Sequence, residues 1–428
     1  MQILQLSISG TVGTPHMGPV SSDICELSNH FQTRGHNVIL ADLRAEAARN
    51  LLHPSIRVTE LSGTPESCVE QAAPNKAMAV LHHWRNYYQY VRQLNSQLDL
   101  STPDVVHVHS PILAFLLQRL HRVPVVYTAH TPLWSVKPNG LARSTRVFPS
   151  LGTLVMRAHD WVERDVVRRS RVSIGLGSYL ASSVPGAPVV TIPNGLNLDT
   201  WIPLERNASR DALGIGPNEF VVLFCGRVHP DKGLDSLMQA VRAVAPTMPE
   251  LRVLIIGPLS GSFDTADERT GSYARTLVER SRDLPVRFLG FINNREHLFR
   301  QHLAAADVSV VPSLIEPQGL VVLEALAMGV PVIGAATGGI VDMVTPDVGY
   351  LFTSGDAVSL AKCISQAHDD RSRLQQMRSV ARARVEQHYS WSSVGDRYLD
   401  AFARQVNVEV SLRPSGHSTS VPTTRPVA

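Results

Sequence analysis

The sequence predicts an α/β protein made of two doubly wound, parallel-sheet domains. Three observations carry this. The chain has 428 residues, of which 44% are apolar; at about 150 residues per domain that is more than one core. Short runs rich in Val and Ile recur along it and are mostly continuous rather than alternating, the pattern of strands covered on both faces. Helix-length segments separate these runs, as crossover connections between parallel strands require.

Taken in order, the first series of strand candidates is Gln2–Ile8, Asn37–Ala41, Val105–Val108, Val123–Thr128, Val172–Leu176 and Val189–Ile192. A second series follows at Phe220–Cys225, Arg252–Ile256, Val286–Leu289, Val308–Val311 and Val330–Gly334. Helical stretches between them include Ser21–Thr33, Leu234–Val244 and Leu320–Met328. Pro193–Pro217 divides the series, with three prolines, three glycines and several Asn and Asp residues. The expected domains are therefore 1–195 and 196–390. Residues 391–407 read as a last amphipathic helix packing back on the first domain. Residues 408–428, rich in Ser, Thr and Pro, read as a disordered tail.

Composition excludes several classes. Charged residues are 18% of the chain, below the roughly 25% of ordinary soluble domains, which argues against a disordered protein. Lys+Arg is 40 against Asp+Glu 37, a net charge of +3, so no basic excess points to nucleic acid. Residues 1–190 hold 17 Lys+Arg and 12 Asp+Glu, or +5; the rest hold 23 and 25, or −2. Cys25, Cys68, Cys225 and Cys363 form no C-x-x-C pair, so a zinc or redox motif is not expected. The start, MQILQLSISG, lacks the pattern of a signal peptide. No apolar run reaches the roughly 18 residues that span a bilayer. These features predict a soluble cytoplasmic protein.

Four segments could carry chemistry. Gly226-Arg227 through Lys232-Gly233 follows a strand and precedes a helix, where open α/β sheets bind ligands. Two cations among glycines suit a diphosphate, although most exposed charges do nothing specific. Glu316-Pro317-Gln318-Gly319-Leu320 follows another strand and opens a helix whose free N–H groups favour an anion. Glu316 and Glu324 would lie roughly 12 Å apart if every step were helical, which suits two ends of an extended ligand rather than one metal. Glu324 sits among Val322, Leu323, Ala325 and Leu326, so it reads as a buried carboxylate in need of a partner. The loop from Gly10 to Val20, which includes Gly18, joins a first strand to a helix but lacks dinucleotide-binding spacing. His107, His109 and His130 stand at strand ends; a lone histidine there is usually structural. There is no nucleophile elbow, metal-type Asp pair or zinc-type histidine pair.

Together these segments resemble glycosyltransferase family 4, whose fold is the two-domain GT-B type. Arg227 to Gly233 resembles its G-R-x-x-x-x-K-G element, and Glu316 to Glu324 its E-x-seven-E element. Thr191-Ile192-Pro193-Asn194-Gly195 resembles the element between the domains. Asp104 to His109 and Arg34 to Val38 resemble first-domain elements. The resemblance implies that Arg227 and Lys232, beside Gly226, hold a donor diphosphate and that Glu324 binds the ribose. It places Glu316, with the N–H groups of Gln318, Gly319 and Leu320, at the transferred sugar and phosphate. His130 would lie near that sugar, and the base would rest on Gly290-Phe291-Ile292. The family commonly has Gly-Gly where this chain has Gly18-Pro19; proline offers no N–H, so a contact there is lost or moved to Gly18.

The activity implied is retaining transfer of a hexose or N-acetylhexosamine from a UDP-sugar to a hydroxyl of a small or lipid-linked acceptor, with no metal or other cofactor. The first domain would bind the acceptor. The cation pair and helix start would stabilise the leaving diphosphate. Front-face transfer competes with double displacement through Glu316. A UDP-sugar 2-epimerase-like enzyme and a non-catalytic nucleotide-sugar-binding protein are the alternatives. Aromatic and basic residues in 82–98 and 137–171 leave peripheral membrane contact open, and the sequence does not speak to oligomeric state.

Overall fold

The computed structural model describes residues 1–7, 19–42, 49–61, 76–130, 132, 151–259 and 268–412. Two parallel sheets organise them. The first has seven strands: β1 (Gln2–Leu6), β2 (Asn37–Asp42), β3 (Arg57–Glu60), β4 (Val105–Val108), β5 (Val125–Ala129), β6 (Val172–Gly175) and β7 (Val189–Thr191). They lie in the order β3-β2-β1-β4-β5-β6-β7. Helices α1 (Pro19–Thr33), α2 (Lys76–Gln97), α3 (Pro111–Leu120), α4 (Leu151–Arg169) and α5 (Tyr179–Ser183) belong to this half.

The second sheet has six strands: β8 (Phe220–Cys225), β9 (Leu251–Ile256), β10 (Val286–Gly290), β11 (Val308–Val311), β12 (Val332–Ala335) and β13 (Gly349–Phe352). Their order is β10-β9-β8-β11-β12-β13. Between and after them run α6 (Arg206–Leu213), α7 (Leu234–Val244), α8 (Glu268–Arg280), α9 (His297–Ala305), α10 (Leu320–Ala327), α11 (Ile340–Met343), α12 (Ala357–Asp369) and α13 (Arg371–Tyr389). Strand order reverses between β1 and β4 and again between β8 and β11. Both reversals are switch points, where the loops at the carboxyl ends of adjacent strands part and leave a crevice.

Burial on both faces explains the continuous apolar runs. Val221, Leu223 and Cys225 of β8 face one core with α10 and α13. Phe220, Val222 and Phe224 face the other with α7 and α12. Successive side chains alternate, and each fully buried one stabilises by about 1.5–3 kcal/mol.

Several strand boundaries differ from the expected ones for local reasons. Strand β5 begins at Val125, not Val123, because Pro124 has no N–H for the ladder. Strand β12 begins at Val332, not Val330: Gly329, at φ +71°, and Val330 close the end of α10, and Pro331 comes next. Strand β1 ends at Leu6, and Ile8 lies outside the described residues. The last helix, α14 (Trp391–Leu412), runs five residues past the expected end at 407, so 408–412 are helical rather than tail. Its Val394, Tyr398 and Phe402 pack with Phe31 of α1 and with β1, and Asp396 meets His30 at 2.9 Å and Arg34 at 2.6 Å. Among the described residues, no helix is long and apolar enough to cross a membrane.

Candidate functional site

The loops after β8 and β11 meet at the second switch point. Beyond Cys225 the chain passes Arg227, buries Val228 and forms a single 3-10 turn over Pro230–Lys232. Gly233 then takes φ +68°, and a Cβ there would sit 1.9 Å from the Pro312 carbonyl oxygen. Only glycine allows this approach. The Leu314 N–H donates to the Asp231 carbonyl at 2.8 Å, which locks one loop on the other. The lock places Lys232 Nζ 2.7 Å from Glu316 Oε2, and Ser313 Oγ donates to the same oxygen at 3.1 Å. Arg227 stays more open: its side chain is 39% exposed and its guanidinium lies 3.6 Å from Asp231, which also pairs with His229.

Helix α10 starts at this junction. Gly319 precedes it at φ +92°, and no side chain caps it. The Val322 N–H donates to the Gly319 carbonyl at 2.9 Å, which leaves the N–H groups of Leu320 and Val321 without an intrahelical acceptor. One turn further in, Glu324 is buried. Burial pushes its carboxyl up to about 7, against a weaker opposing pull from its hydrogen bond to Asn294 Nδ2 at 3.1 Å. Asn294 is the partner that the sequence left unnamed. Ile292 packs partly buried against the core beneath α10. The loop after β9 completes the floor: Gly257 donates to the Gly290 carbonyl at 2.8 Å, and a Cβ on Gly257 would lie 1.8 Å from the Gly226 carbonyl oxygen. The glycine after β9 was the one sequence signal for this contact.

The crevice thus joins Gly226, Arg227, Lys232, Glu316, Gln318, Gly319, Leu320, Glu324 and Ile292 from the carboxyl ends of β8, β10 and β11 and from α10. Gln318 differs from the rest in that its side chain turns to the linker. Its Oε1 accepts from the Asn194 N–H at 2.9 Å, and its Nε2 donates to the Asn194 carbonyl at 3.1 Å.

The histidines form a separate buried group in the first sheet. His130 Nε2 lies 2.9 Å from His109 Nδ1, and His109 Nε2 lies 3.0 Å from Gln5 Oε1. His107 Nε2 meets Thr128 Oγ1 at 2.7 Å. On its other side, His130 Nδ1 is 4.0 Å from Asp23 Oδ2 of α1. Burial lowers His107 to about 3 and His130 to about 4, and it holds His109 well below its usual range. The same burial raises Asp23. All three imidazoles are therefore neutral at pH 7. None of the crevice residues of the second sheet is a hydrogen-bond partner of His130. Gly18 lies outside the described residues.

Two doubly wound parallel sheets in one chain define the GT-B class. The family model for "Glycosyltransferase Family 4" matches residues 20–200, and that for "Glycosyl transferases group 1" matches 205–384. A D-inositol 3-phosphate glycosyltransferase from Geodermatophilus obscurus is 32% identical over 407 residues, covering 91% of this chain and 85% of that protein. One from Mycobacterium sp. (strain KMS) is 38% identical over 243 residues, covering 55% of this chain. That match spans about half of the relative's length, 52%. Among solved structures, sucrose-phosphate synthase from Thermosynechococcus elongatus aligns with a TM-score of 0.71 at 20% identity, covering 95% of this chain and 100% of that one. Anabaena HepE in complex with UDP and glucose aligns at 0.65 and 21%, covering 94% and 100%. The chain belongs to glycosyltransferase family 4, a family of transferases with the GT-B fold.

Proposed function

We propose that the protein is a retaining glycosyltransferase that uses a nucleoside-diphosphate sugar, UDP-linked hexose or N-acetylhexosamine, and needs no metal. The observation that carries this is the meeting of Lys232, Glu316 and an uncapped helix start beside Arg227. The leaving diphosphate gains negative charge as the sugar departs. Two cations and a set of free N–H groups are preorganised to hold that charge. Glu324, with Asn294 beside it, accepts hydrogen bonds from the ribose hydroxyls. His130, neutral, serves as a hydrogen-bonding group near the donor sugar rather than as a cation.

In the proposed step, the bond between the anomeric carbon and the phosphate oxygen breaks. The acceptor oxygen bonds to that carbon on the same face, and its proton passes to the departing phosphate oxygen. The acceptor is a small phosphorylated polyol bound by the first domain. Two facts support this: relatives named D-inositol 3-phosphate glycosyltransferase, and the +5 balance of residues 1–190.

The test is incubation of the full chain with UDP-glucose, UDP-N-acetylglucosamine or GDP-mannose and D-inositol 3-phosphate, with and without EDTA. Nucleoside diphosphate release and a product carrying one added sugar are expected from a UDP donor, unaffected by EDTA. Release from GDP-mannose alone overturns the UDP assignment. A rearranged UDP-sugar without acceptor points to an epimerase, and no turnover with any donor refutes the reading.

A further inference from the structure

Gln318 stands between the loop that opens α10 and the linker that follows β7. It is 4% exposed. Its amide spends both polar atoms on the peptide of a single residue, Asn194, as a neighbouring strand does in a ladder. Asn194 lies in the linker just past β7, and the next two residues are held in place. A Cβ on Gly195 would lie 2.5 Å from the Trp391 ring, and the Leu196 N–H donates to the Tyr389 carbonyl at 2.7 Å.

The backbone of Gln318 is equally fixed. The Gly339 N–H donates to the carbonyls of Glu316 and Pro317 at 3.2 and 3.1 Å. A Cβ on Gly339 would lie 2.9 Å from Gln318 Cα, and one on Gly177 of the first half would lie 3.0 Å from Gly339 Cα. Ser178 N–H donates to Asp342 Oδ2 at 2.8 Å across the same boundary. The donor loop and the linker therefore have little slack between them, and the Gln318 amide is their polar tie.

We infer that Gln318 is a positioning residue whose side chain transmits occupancy of the α10 N-terminus to the linker joining the two sheets. This rests on reading that N-terminus as the donor-phosphate site. A loop that shifts to meet a diphosphate has to drag Asn194 or break two buried hydrogen bonds. Tightened donor binding and linker ordering are then one event, and an acceptor held by the first domain meets the donor in the right place only when the tie is intact.

Hydrogen exchange on the full chain, with and without UDP and separately with GDP, tests this. In the unaltered protein, nucleotide should slow exchange at both 320–327 and 189–197, the linker by about tenfold. In Gln318→Met, of similar volume but with no amide, 320–327 should still be protected, while the linker effect falls below about twofold. In turnover, Gln318→Met should lower kcat by about tenfold with donor KM within about threefold, because the tie acts after binding. Gln318→Glu keeps the acceptor for the Asn194 N–H and should fall between the two; it also serves if the Met variant does not fold. Equal linker protection in the variants, or none in the unaltered protein with nucleotide bound, overturns the coupling alone. Failure of both UDP and GDP to bind overturns the donor-site reading and the coupling with it.

Discussion

Glu324→Gln should make the protein more stable and less able to hold donor. Burial raises the native carboxyl from 4.5 to about 7. The native state therefore holds this proton more tightly than the unfolded chain does. The stability this adds is fully present below pH 4.5 and is lost as pH rises through 7. At roughly 1.4 kcal/mol per pH unit, ionising Glu324 by pH 8 costs the native state about 3 kcal/mol. Glutamine never ionises and can still accept from Asn294. The variant should match the unaltered protein near pH 4.5 and exceed it by about 3 kcal/mol at pH 8, or about 6–12 °C in Tm for a domain of this size. Removing the charge proposed to accept the ribose hydroxyls should raise donor KM about tenfold or more. Thermal unfolding from pH 5 to 8, with calorimetric titration of UDP, checks both. Tm curves that stay parallel across that range would refute the assignment of a carboxyl titrating near 7.

Arg227→Ala and Lys232→Ala should each cut the transfer rate by about 10²–10³-fold; full rate in both removes the diphosphate assignment. Glu316→Gln should keep a few per cent of activity by steady-state assay, whereas a covalent sugar adduct on Glu316, found by mass spectrometry, would establish double displacement instead. The three buried histidines take up protons in the unfolded chain near 6.5, whereas in the native state burial lowers His107 to about 3 and His130 to about 4 and holds His109 well below its usual range. Their contribution is present above 6.5 and is lost as pH falls toward 4, so the urea midpoint should drop over that window, less steeply in His109→Gln; an unchanged slope in that variant contradicts the argument. Gly233→Ala, with φ +68° and its new Cβ aimed at the Pro312 carbonyl, should cost about 1–3 kcal/mol by denaturant titration and weaken donor binding.

Much of the fold was legible in the sequence where burial is symmetric. Strands β4, β8 and β11 begin and end where their Val-rich runs do. Strands β3 and β13 gave no such signal. RVTE and GYLF are short edge strands with partly exposed faces, so neither needs a continuous apolar run. The cations and carboxylates were visible as residue types, but not as pairs. Lys232 reaches Glu316, 84 positions away, only because Gly233 seats one loop on the backbone of another. Asn294 was invisible for a similar reason: it stands 30 positions before Glu324, on an irregular loop with no periodicity to mark its direction. The Gln318 side chain was hidden behind its own backbone, because the motif that contains it drew notice to N–H groups.

The pairing also bears on mechanism. Both site cations are already matched with carboxylates, but unequally. The Arg227 contact with Asp231 is long, exposed and shared with His229, so an arriving diphosphate displaces it at small cost. The Lys232 contact with Glu316 is short and partly buried, and Ser313 binds the same oxygen. Breaking it would leave a buried carboxylate without its cation, which is expensive. In the proposed reaction Arg227 is therefore the cation that swings and Lys232 the one that is held in place. A Glu316 that attacked the sugar through Oε2 would have to give up Lys232 just as the diphosphate needed it. The two demands oppose each other, and front-face transfer avoids the conflict by leaving Glu316 as the fixed counter-charge that aims Lys232.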